Sequence, residues 1–256
     1  MSVSHNPDVP AKRTVRLVTP SVMVAAYTQP MPELAEKLDS INDPSLQILP
    51  EFAGRACYQS WDKPNPETAS NAGYLANIIK QKHFSVLEHS SISFYIEGVS
   101  RSLTHEFVRH RHLSYSQLSQ RYVDSSDVAF VLPPDFEGDA IATDAFRQDM
   151  ADDLAAYEFY QEHQRQKGLG KKATRQSARS VLPNATETKL VVTGNLRAWI
   201  EFMVKRDNPA ADVEIQRLAR LIGEHLARLA PDVFGKHARV LWDEFLREAA
   251  QAEARY

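Results

Sequence analysis

Apolar residues recur at helical spacing over most of this sequence and alternate, as in a β-strand, over only a few short segments. The longest helical pattern covers 145–167 and ends at Gly168. The clearest strand pattern covers 91–99, where Ile92 and Phe94 alternate with polar side chains. Because the strands are scattered among helices with no regular βαβ alternation, we predict one α+β domain with a central, mostly antiparallel sheet flanked by long helices.

The same criteria predict the other elements and the limits of the domain. Strands are predicted at 15–24, 128–132 and 188–193, and a loop at 135–144. Helices are predicted at 31–38, 46–58, 69–83, 100–111, 171–182, 212–229 and 237–250. Asn195 is predicted to cap a further helix that ends at Arg206. The predicted organisation is a loose extension at 1–14, a domain at 15–250 and a tail at 251–256.

Composition and charge exclude several classes of protein. The chain has 256 residues, of which 43% are hydrophobic and 25% charged, so it can bury a core. Its net charge of -3 disfavours a generally basic nucleic-acid-binding protein. The single cysteine, Cys57, excludes an intramolecular disulfide and a multi-cysteine zinc site. No segment reaches the ~18 apolar residues of a membrane helix, and no signal peptide is recognisable, so we expect a cytoplasmic protein without a membrane partner.

The segment 101–122 is unusually rich in cations and hydroxyl groups for an acidic protein. It contains Arg101, Arg109, Arg111, Arg121, His105, His110, His112, Ser114, Ser116 and Ser119. Clustered guanidinium groups typically serve an anion, because each binds phosphate oxygens bidentately. Ser119, Gln120 and Arg121 could add hydroxyl and backbone N–H donors to the same anion. The alternative is a solvated helix face with ion pairs.

A second group of polar residues lies in the C-terminal half. Asn195 and Arg197 fall in the first turn of a predicted helix, where free backbone N–H groups favour anions. Arg179 precedes the helix-ending Pro183. Arg206 lies at a predicted helix C-terminus, where a cation that satisfies the helix dipole is the alternative interpretation.

Two other functions compete with an anion site on these residues. A nucleic-acid-binding module could use 101–121 as its basic face, although such modules interleave more aromatic residues. A metal-dependent hydrolase could be built on His105, His110 and His112, although no partner motif follows them.

Nucleophilic catalysis by a side chain has little support in the sequence. Ser119 lacks the G-x-S-x-G context of a nucleophile elbow. Cys57 is more typical of a packed small side chain than of a reactive thiol. The two histidines and the carboxylate within 83–89 are as compatible with a structural role as with a catalytic one.

The segment Arg109–Tyr122 resembles the R-H-R-x-x-S-x-x-x-x-S-x-R motif of the flavin-dependent thymidylate synthases. The resemblance extends to A-x-R-x-C at 53–57, H-x-S-x-x-E-H at 83–89 and A-R-x-V-L-P at 178–183. It also includes N-x-R at Asn195 and Arg197, and Arg206 followed by D-V-E-I at 212–215. Agreement of these segments in the right order identifies the chain as a member of this family over most of its length.

The resemblance implies reductive methylation of deoxyuridine monophosphate (dUMP) to thymidine monophosphate (dTMP). Methylenetetrahydrofolate would give the carbon, and FAD reduced by NADPH would give the hydride. The family fold is α+β and homotetrameric, with active sites shared between subunits and no metal. The arginines suit the phosphate of dUMP and the pyrophosphate of FAD. A cofactor that carries the chemistry is also compatible with a chain that lacks a convincing nucleophile–base pair.

The family motifs assign roles to individual residues of this sequence. The implied FAD contacts are Cys57, Ser85, Arg109, His110, Arg111, Gln117, Asn195, Arg197 and Glu201. The implied dUMP contacts are Glu106, Arg109, Gln117, Ser119, Gln120, Arg121, Arg179 and Arg206. His83 and Tyr122 would stack on the rings of the folate. Arg206 is the implied catalytic residue, because it would reach the uracil and stabilise negative charge that develops on the ring.

Overall fold

A computed structural model describes residues 14–38, 45–63 and 65–253. The predicted extension at 1–14 lies outside the described residues up to position 13, as do the last three residues of the predicted tail. The described chain divides into two compact units. Unit I comprises residues 14–19, 97–104 and 117–189. Unit II comprises residues 20–38, 45–63, 65–96, 105–116 and 190–253.

The strands of the described residues form a four-stranded sheet and a two-stranded sheet. They are β1 (Leu17–Val18), β2 (Ser21–Tyr27), β3 (Ser91–Ser100), β4 (Ser114–Gln117), β5 (Phe130–Val131) and β6 (Glu187–Asn195). The larger sheet has the order β2-β3-β6-β4 and is mostly antiparallel. Most of its residues belong to unit II, and β3 and β6 continue into unit I. In unit I, β1 pairs in parallel with β5, with Leu17 opposite Phe130.

Helices make up most of the remaining described chain. They are α1 (Pro32–Lys37), α2 (Ile48–Tyr58), α3 (Asn71–Lys80), α4 (Arg101–Phe107), α5 (Ala140–Gln166), α6 (Lys171–Ala178), α7 (Leu196–Arg206), α8 (Val213–Leu229), α9 (Pro231–Phe234) and α10 (Lys236–Glu253). Short 3₁₀ turns occur at Pro66–Thr68, Phe84–His89, Pro134–Phe136 and Arg179–Val181. The predicted α+β class and mostly antiparallel sheet are confirmed, whereas the 15–250 domain boundaries stay a prediction.

The core of unit II fixes helix α7 against strand β3. Ile92 and Phe94 on β3 are fully buried, as the alternation predicts. The ring of Trp199 on α7 meets the Phe94 ring edge-on at 5.1 Å, and its indole N–H donates to the Ile92 carbonyl at 3.3 Å. This packing holds both ends of α7, where Asn195 and Arg206 lie, in a defined place.

A buried ion pair explains the arginine in the A-x-R-x-C segment. Arg55 and Glu51 are 2% and 1% exposed, and the Arg55 Nε donates to the Glu51 Oε1 at 2.6 Å. The same guanidinium donates to the carbonyls of Ser60 at 3.1 Å and Thr68 at 2.7 Å. Because a buried charge needs all these partners, Arg55 ties the loop after α2 to the helix that carries Cys57.

Unit I has its own apolar core between α5 and the small parallel sheet. Its buried members are Val15, Phe130, Phe146, Met150, Ala151, Leu154, Tyr157 and Ala178. The Tyr157 hydroxyl accepts a hydrogen bond from the Ser125 N–H at 3.1 Å. That bond anchors the loop that follows β4, and this loop carries Ser119–Tyr122.

The structure corrects three secondary-structure predictions. Helix α5 begins at Ala140, so the loop predicted at 135–144 is wrong in its second half. Asp139 caps this helix by accepting from the N–H groups of Ile141 and Ala142. The polar segment Ser114–Gln117 forms β4, for which no strand was predicted. The helix predicted at 100–111 is α4, which ends at Phe107, so residues 108–111 lie in the turn that follows it.

Candidate functional site

The guanidinium of Arg206 is held at the C-terminus of α7 by three contacts within unit II. Its Nε donates to the His110 Nε2 at 3.0 Å, and its Nη1 pairs closely with the Glu106 carboxylate. Its Nη2 donates to the Glu106 carbonyl at 3.1 Å. Among the described residues these contacts use three of the five N–H groups of Arg206. The guanidinium is therefore fixed in orientation and keeps two N–H groups for a ligand.

His110 is a buried partner of Arg206. The residue is 6% exposed, and its ring packs edge-on against Phe202 at 5.2 Å. Burial, reinforced by the positive charge of Arg206, lowers the pKa of His110 to about 4. The imidazole is therefore neutral near pH 7, which its Nε2 requires in order to accept from Arg206. Whether His110 also contacts FAD stays a prediction.

The low pKa of His110 predicts a loss of stability in acid. Because the unfolded state binds a proton near pH 6.5 and the folded state only near pH 4, acidification between these values lowers the free energy of unfolding. We expect the wild type to lose about 2–3 kcal/mol more than His110→Gln over this range. Urea unfolding of both proteins from pH 7 to pH 4 measures the difference. If the free energies of unfolding of the two proteins changed in parallel with pH, the low pKa of His110 would be contradicted.

Tyr115 fixes the turn between α4 and β4, a role that no pattern in the sequence predicts. Its hydroxyl lies 2.5 Å from the Phe107 carbonyl and 3.2 Å from the His110 carbonyl. Burial raises the pKa of Tyr115, so the phenol stays protonated and can donate. The turn it braces presents Arg109 and Arg111, which are both exposed.

A small cavity of about 210 Å³ lies at the N-terminus of α7. Its lining residues are Glu88, His112, Asn195, Arg197, Ala198 and Glu201. The Asn195 Oδ1 caps α7 by accepting from the Ala198 N–H at 2.8 Å, which confirms the predicted cap. The Arg197 Nη1 donates to the Glu88 Oε1 at 2.5 Å, and the Lys205 Nζ lies 2.6 Å from the Glu201 Oε1. Three predicted flavin contacts thus share one cavity.

The side chains of this cavity fit part of a dinucleotide cofactor. Arg197 and His112 can donate to phosphate oxygens, whereas Glu88 and Glu201 can accept from ribose hydroxyl or adenine amino groups. The lysine partner and the nearby histidines lower the pKa of Glu201 although burial opposes them, so this acceptor is ionised. A drug-sized ligand needs roughly 300–1,000 Å³, so the cavity can enclose only a portion of a molecule as large as FAD.

The other residues predicted to lie near the flavin and the folate in unit II are on neighbouring elements. Cys57 is exposed in the last turn of α2. Ser85 is exposed in the 3₁₀ turn Phe84–His89, which packs against α2, and His83 precedes this turn and is also exposed. All three are therefore accessible to a ligand.

Unit I contains two arginines close together. Burial lowers the pKa of Arg101, and the neighbouring charge of Arg179 lowers it further. The Arg101 Nη2 donates to the Leu118 carbonyl at 2.9 Å, but its Nε is buried with no hydrogen-bond partner among the described residues. The Gln120 Nε2 is also buried without a described partner, in a side chain that is 7% exposed. Such orphaned donors are rare in folded proteins, and the oxygen of a water molecule or of an anionic ligand would satisfy them.

The remaining residues predicted in unit I surround this loop. Ser119 is half-buried, and its carbonyl accepts from the N–H groups of Tyr122 and Val123, which makes a tight turn. Arg121 has no ion pair among the described residues, and its guanidinium lies 5.7 Å from the Tyr122 ring centre. The Gln117 Nε2 lies 3.2–3.3 Å from the hydroxyls of two buried threonines, Thr104 and Thr188.

The residues predicted to bind the flavin and those predicted to bind the nucleotide lie mostly in different units. The predicted flavin residues lie in unit II except Gln117. The predicted nucleotide residues lie in unit I except Glu106, Arg109 and Arg206. Sequence reasoning placed Arg101 in the cationic cluster but gave it no site, because its lack of an ion pair among the described residues is visible only in three dimensions.

The metal-dependent alternative has no support in the geometry of the described residues. In the described part of the chain, no group of three His, Cys, Asp or Glu side chains is arranged to hold a metal ion. The Nε2 of His110 is engaged by Arg206. We also find no helix among the described residues with the length and hydrophobicity needed to span a bilayer.

Comparison with known proteins agrees with the motifs. Residues 40–232 match the family model described as thymidylate synthase complementing protein. A flavin-dependent thymidylate synthase from Mycobacterium tuberculosis strain H37Rv is 54% identical over 210 residues, which cover 79% of this chain and 83% of that protein.

Two further relatives carry the same name. The protein from Mycobacterium avium strain 104 is 53% identical over 210 residues, covering 79% of this chain and 83% of its own length. The protein from Mycobacterium sp. strain JLS is 55% identical over 197 residues, covering 73% and 78%. The identity and coverage confirm the predicted resemblance, and the chain belongs to the flavin-dependent thymidylate synthase family.

Proposed function

We propose that the protein converts dUMP to dTMP, with methylenetetrahydrofolate as the carbon donor and FAD reduced by NADPH as the hydride source. The observation that carries the proposal is the group of unpaired donors in unit I. The charge of Arg179 lowers the pKa of Arg101, neither arginine forms an ion pair among the described residues, and Gln120 offers a buried amide. A phosphate dianion supplies the missing acceptors.

The residues of unit I would hold the nucleotide by its phosphate. Arg121 and Arg179 would provide bidentate guanidinium donors, and Ser119 and Gln120 would add a hydroxyl and an amide. The structure adds Arg101 to these proposed phosphate-binding residues. Gln117 is held by hydroxyl groups and would contact the flavin or the nucleotide.

Arg206 would act on the uracil ring. Glu106 and His110 hold its guanidinium in one plane, and its two remaining N–H groups can donate to a uracil oxygen. Because these donors are fixed before the reaction, they stabilise negative charge developing on the ring without reorganisation. Arg206 is therefore the proposed catalytic residue, and Glu106 contacts the nucleotide edge beside it.

The flavin would be held at the cavity of unit II and along the neighbouring elements. Asn195, Arg197 and Glu201 line that cavity, and Arg109, His110, Arg111, Cys57 and Ser85 are the other proposed contacts. When bound and reduced by NADPH, the flavin would supply the hydride that the transferred carbon needs to become a methyl group. The protein residues bind, orient and neutralise charge, which is the usual division of labour with a redox cofactor.

The proposal includes a homotetramer in which each site combines residues of several subunits. The enclosed space at α7 is too small for FAD, so further walls are needed. His83 and Tyr122 are both exposed and would stack on the folate's rings from different subunits. A cytoplasmic location follows from the metabolic role proposed.

Flavin binding and product formation test the proposal together. The purified protein should be yellow or become so with added FAD, and should form dTMP from dUMP and methylenetetrahydrofolate only when NADPH is supplied. A protein that neither binds FAD nor yields dTMP would refute it. Omission of dUMP and boiled enzyme are the controls.

The only thiol of the chain should be dispensable for turnover. Cys57 lies in an exposed last turn of α2, and the proposed chemistry uses no protein nucleophile. Cys57→Ser keeps a small polar side chain and should retain kcat within about threefold, which is less than one kcal/mol of barrier. A steady-state assay measures this. Complete loss of turnover, with FAD and dUMP still bound, would contradict the proposal.

A further inference from the structure

A dense group of positive charge lies in unit I on helix α6 and the segment before it. Residues 167–179 contain five cations and no Asp or Glu: Lys167, Lys171, Lys172, Arg175 and Arg179. Lys171, Arg175 and Arg179 are four residues apart, so they share one face of the helix. By helical rise this face extends about 12 Å, from the proposed phosphate ligand Arg179 to the exposed Lys171.

Direct contacts join Arg175 of this cationic face, and Lys172 on the adjoining side of α6, to Tyr122. The Arg175 Nη1 donates to the Tyr122 carbonyl at 2.7 Å. The Lys172 Nζ lies 5.0 Å from the centre of the Tyr122 ring, and its interaction with the phenol lowers the pKa of Tyr122. The Tyr122 side chain is nonetheless 59% exposed. An aromatic surface open to solvent is thus bordered by the Lys172 ammonium group and by the Arg121 guanidinium, 5.7 Å from the ring centre.

The charge of the cationic face is only partly neutralised. Asp124 pairs with Arg175 at 3.2 Å and also accepts hydrogen bonds from Ser126 and Gln161. Within the residues that the structure describes, no carboxylate pairs with Lys171 or Lys172. Helix α6 begins after Gly170 with no side-chain cap, so its first N–H groups add to the positive potential. Such a surface attracts a ligand with several carboxylates.

We propose that Lys171 and Lys172 bind the glutamate tail of the folate co-substrate. This inference rests on the proposed function, in which Tyr122 stacks on the folate's rings. A folate carries its carboxylates on the tail that leaves the ring system, and each added γ-linked glutamate adds one more. The tail of a folate stacked on Tyr122 reaches the two lysines, so the enzyme prefers folates with several glutamates.

The preference is measured with methylenetetrahydrofolate that carries one or three glutamates. The wild type should show a KM about three- to tenfold lower for the triglutamate, since each exposed ion pair contributes modestly. Lys171→Gln should reduce that ratio to less than about twofold, and added salt should reduce it in the wild type. Lys80→Gln, an exposed lysine at the end of α3, is the matched control and should leave the ratio unchanged.

The outcomes separate this inference from the function on which it rests. Equal KM values for the two folates in the wild type, with dTMP formed, overturn the tail site and leave the function standing. Absence of dTMP with either folate refutes both. A preference that survives in Lys171→Gln while the KM for NADPH rises assigns the lysines to the dinucleotide and overturns the proposal. Equilibrium binding of the two folates to wild type and Lys171→Gln repeats the comparison without turnover.

Discussion

Replacing Arg206 with lysine should lower kcat/KM for dUMP by about 10²–10³-fold. The guanidinium is held in one plane by His110 and Glu106, and only a planar fork can keep these contacts while donating to the uracil. A lysine ammonium retains the positive charge but cannot donate to His110, Glu106 and the uracil at the same time. Steady-state kinetics with varied dUMP measure the loss.

Folding controls distinguish this chemical loss from an unstable variant. The Glu106 side chain is 37% exposed, so the loss of that ion pair should cost little stability, whereas the loss of the donor to the buried His110 Nε2 should cost about 1–3 kcal/mol, which urea unfolding measures. Arg228→Lys makes the same change at an exposed arginine of α8 and should stay within about twofold of wild type. Arg206→Lys activity within tenfold of wild type would contradict the proposed role of the guanidinium.

Mixing two inactive variants should restore activity if the sites are shared between subunits. Arg121 lies in unit I and Arg206 in unit II, and the proposal supplies them to one site from different chains. Arg121→Ala and Arg206→Ala tetramers should each be nearly inactive, because an unmatched phosphate or ring charge costs about 2–4 kcal/mol. After dissociation and random reassembly, about a quarter of the sites should regain both arginines.

Differential tags on the two variants identify the mixed tetramers. Turnover per site in the purified mixture should reach about a quarter of the wild-type value. Each parent, dissociated and reassembled alone, is the control. Mixed tetramers as inactive as the parents would mean that both arginines serve one site from one chain, and the shared-site model would be wrong.

Local signals in the sequence predicted the elements that position the site. Asn195 was recognisable as a cap because its side chain precedes a helical pattern, and its hydrogen bond to the Ala198 N–H confirms this. The strand at 91–99 and the helix that ends at Arg206 were likewise predictable from the spacing of neighbouring residues. Strand β4 was missed because Ser114–Gln117 lacks apolar alternation and is held by pairing with β6.

Partners within the candidate site could not be predicted, because they are far apart in the sequence. Glu106 and His110 lie about a hundred residues from Arg206, and no periodicity links them to it. The burial of Arg101 beside Arg179, with no ion pair to either arginine among the described residues, depends in the same way on contacts that are distant in sequence. The motifs were enough to identify the family. The fixed orientation of the Arg206 guanidinium and the unpartnered donors of Arg101 and Gln120 are visible only in the structure.

The folate product tests the central claim most directly. The transferred methylene group must gain two electrons to become a methyl group. If these electrons come from NADPH by way of the flavin, the folate leaves as tetrahydrofolate. With wild-type enzyme, dUMP, methylenetetrahydrofolate and NADPH, chromatography should find one tetrahydrofolate and one oxidised NADPH for each dTMP. Dihydrofolate formed in equal amount to dTMP, with no NADPH consumed, would contradict the account.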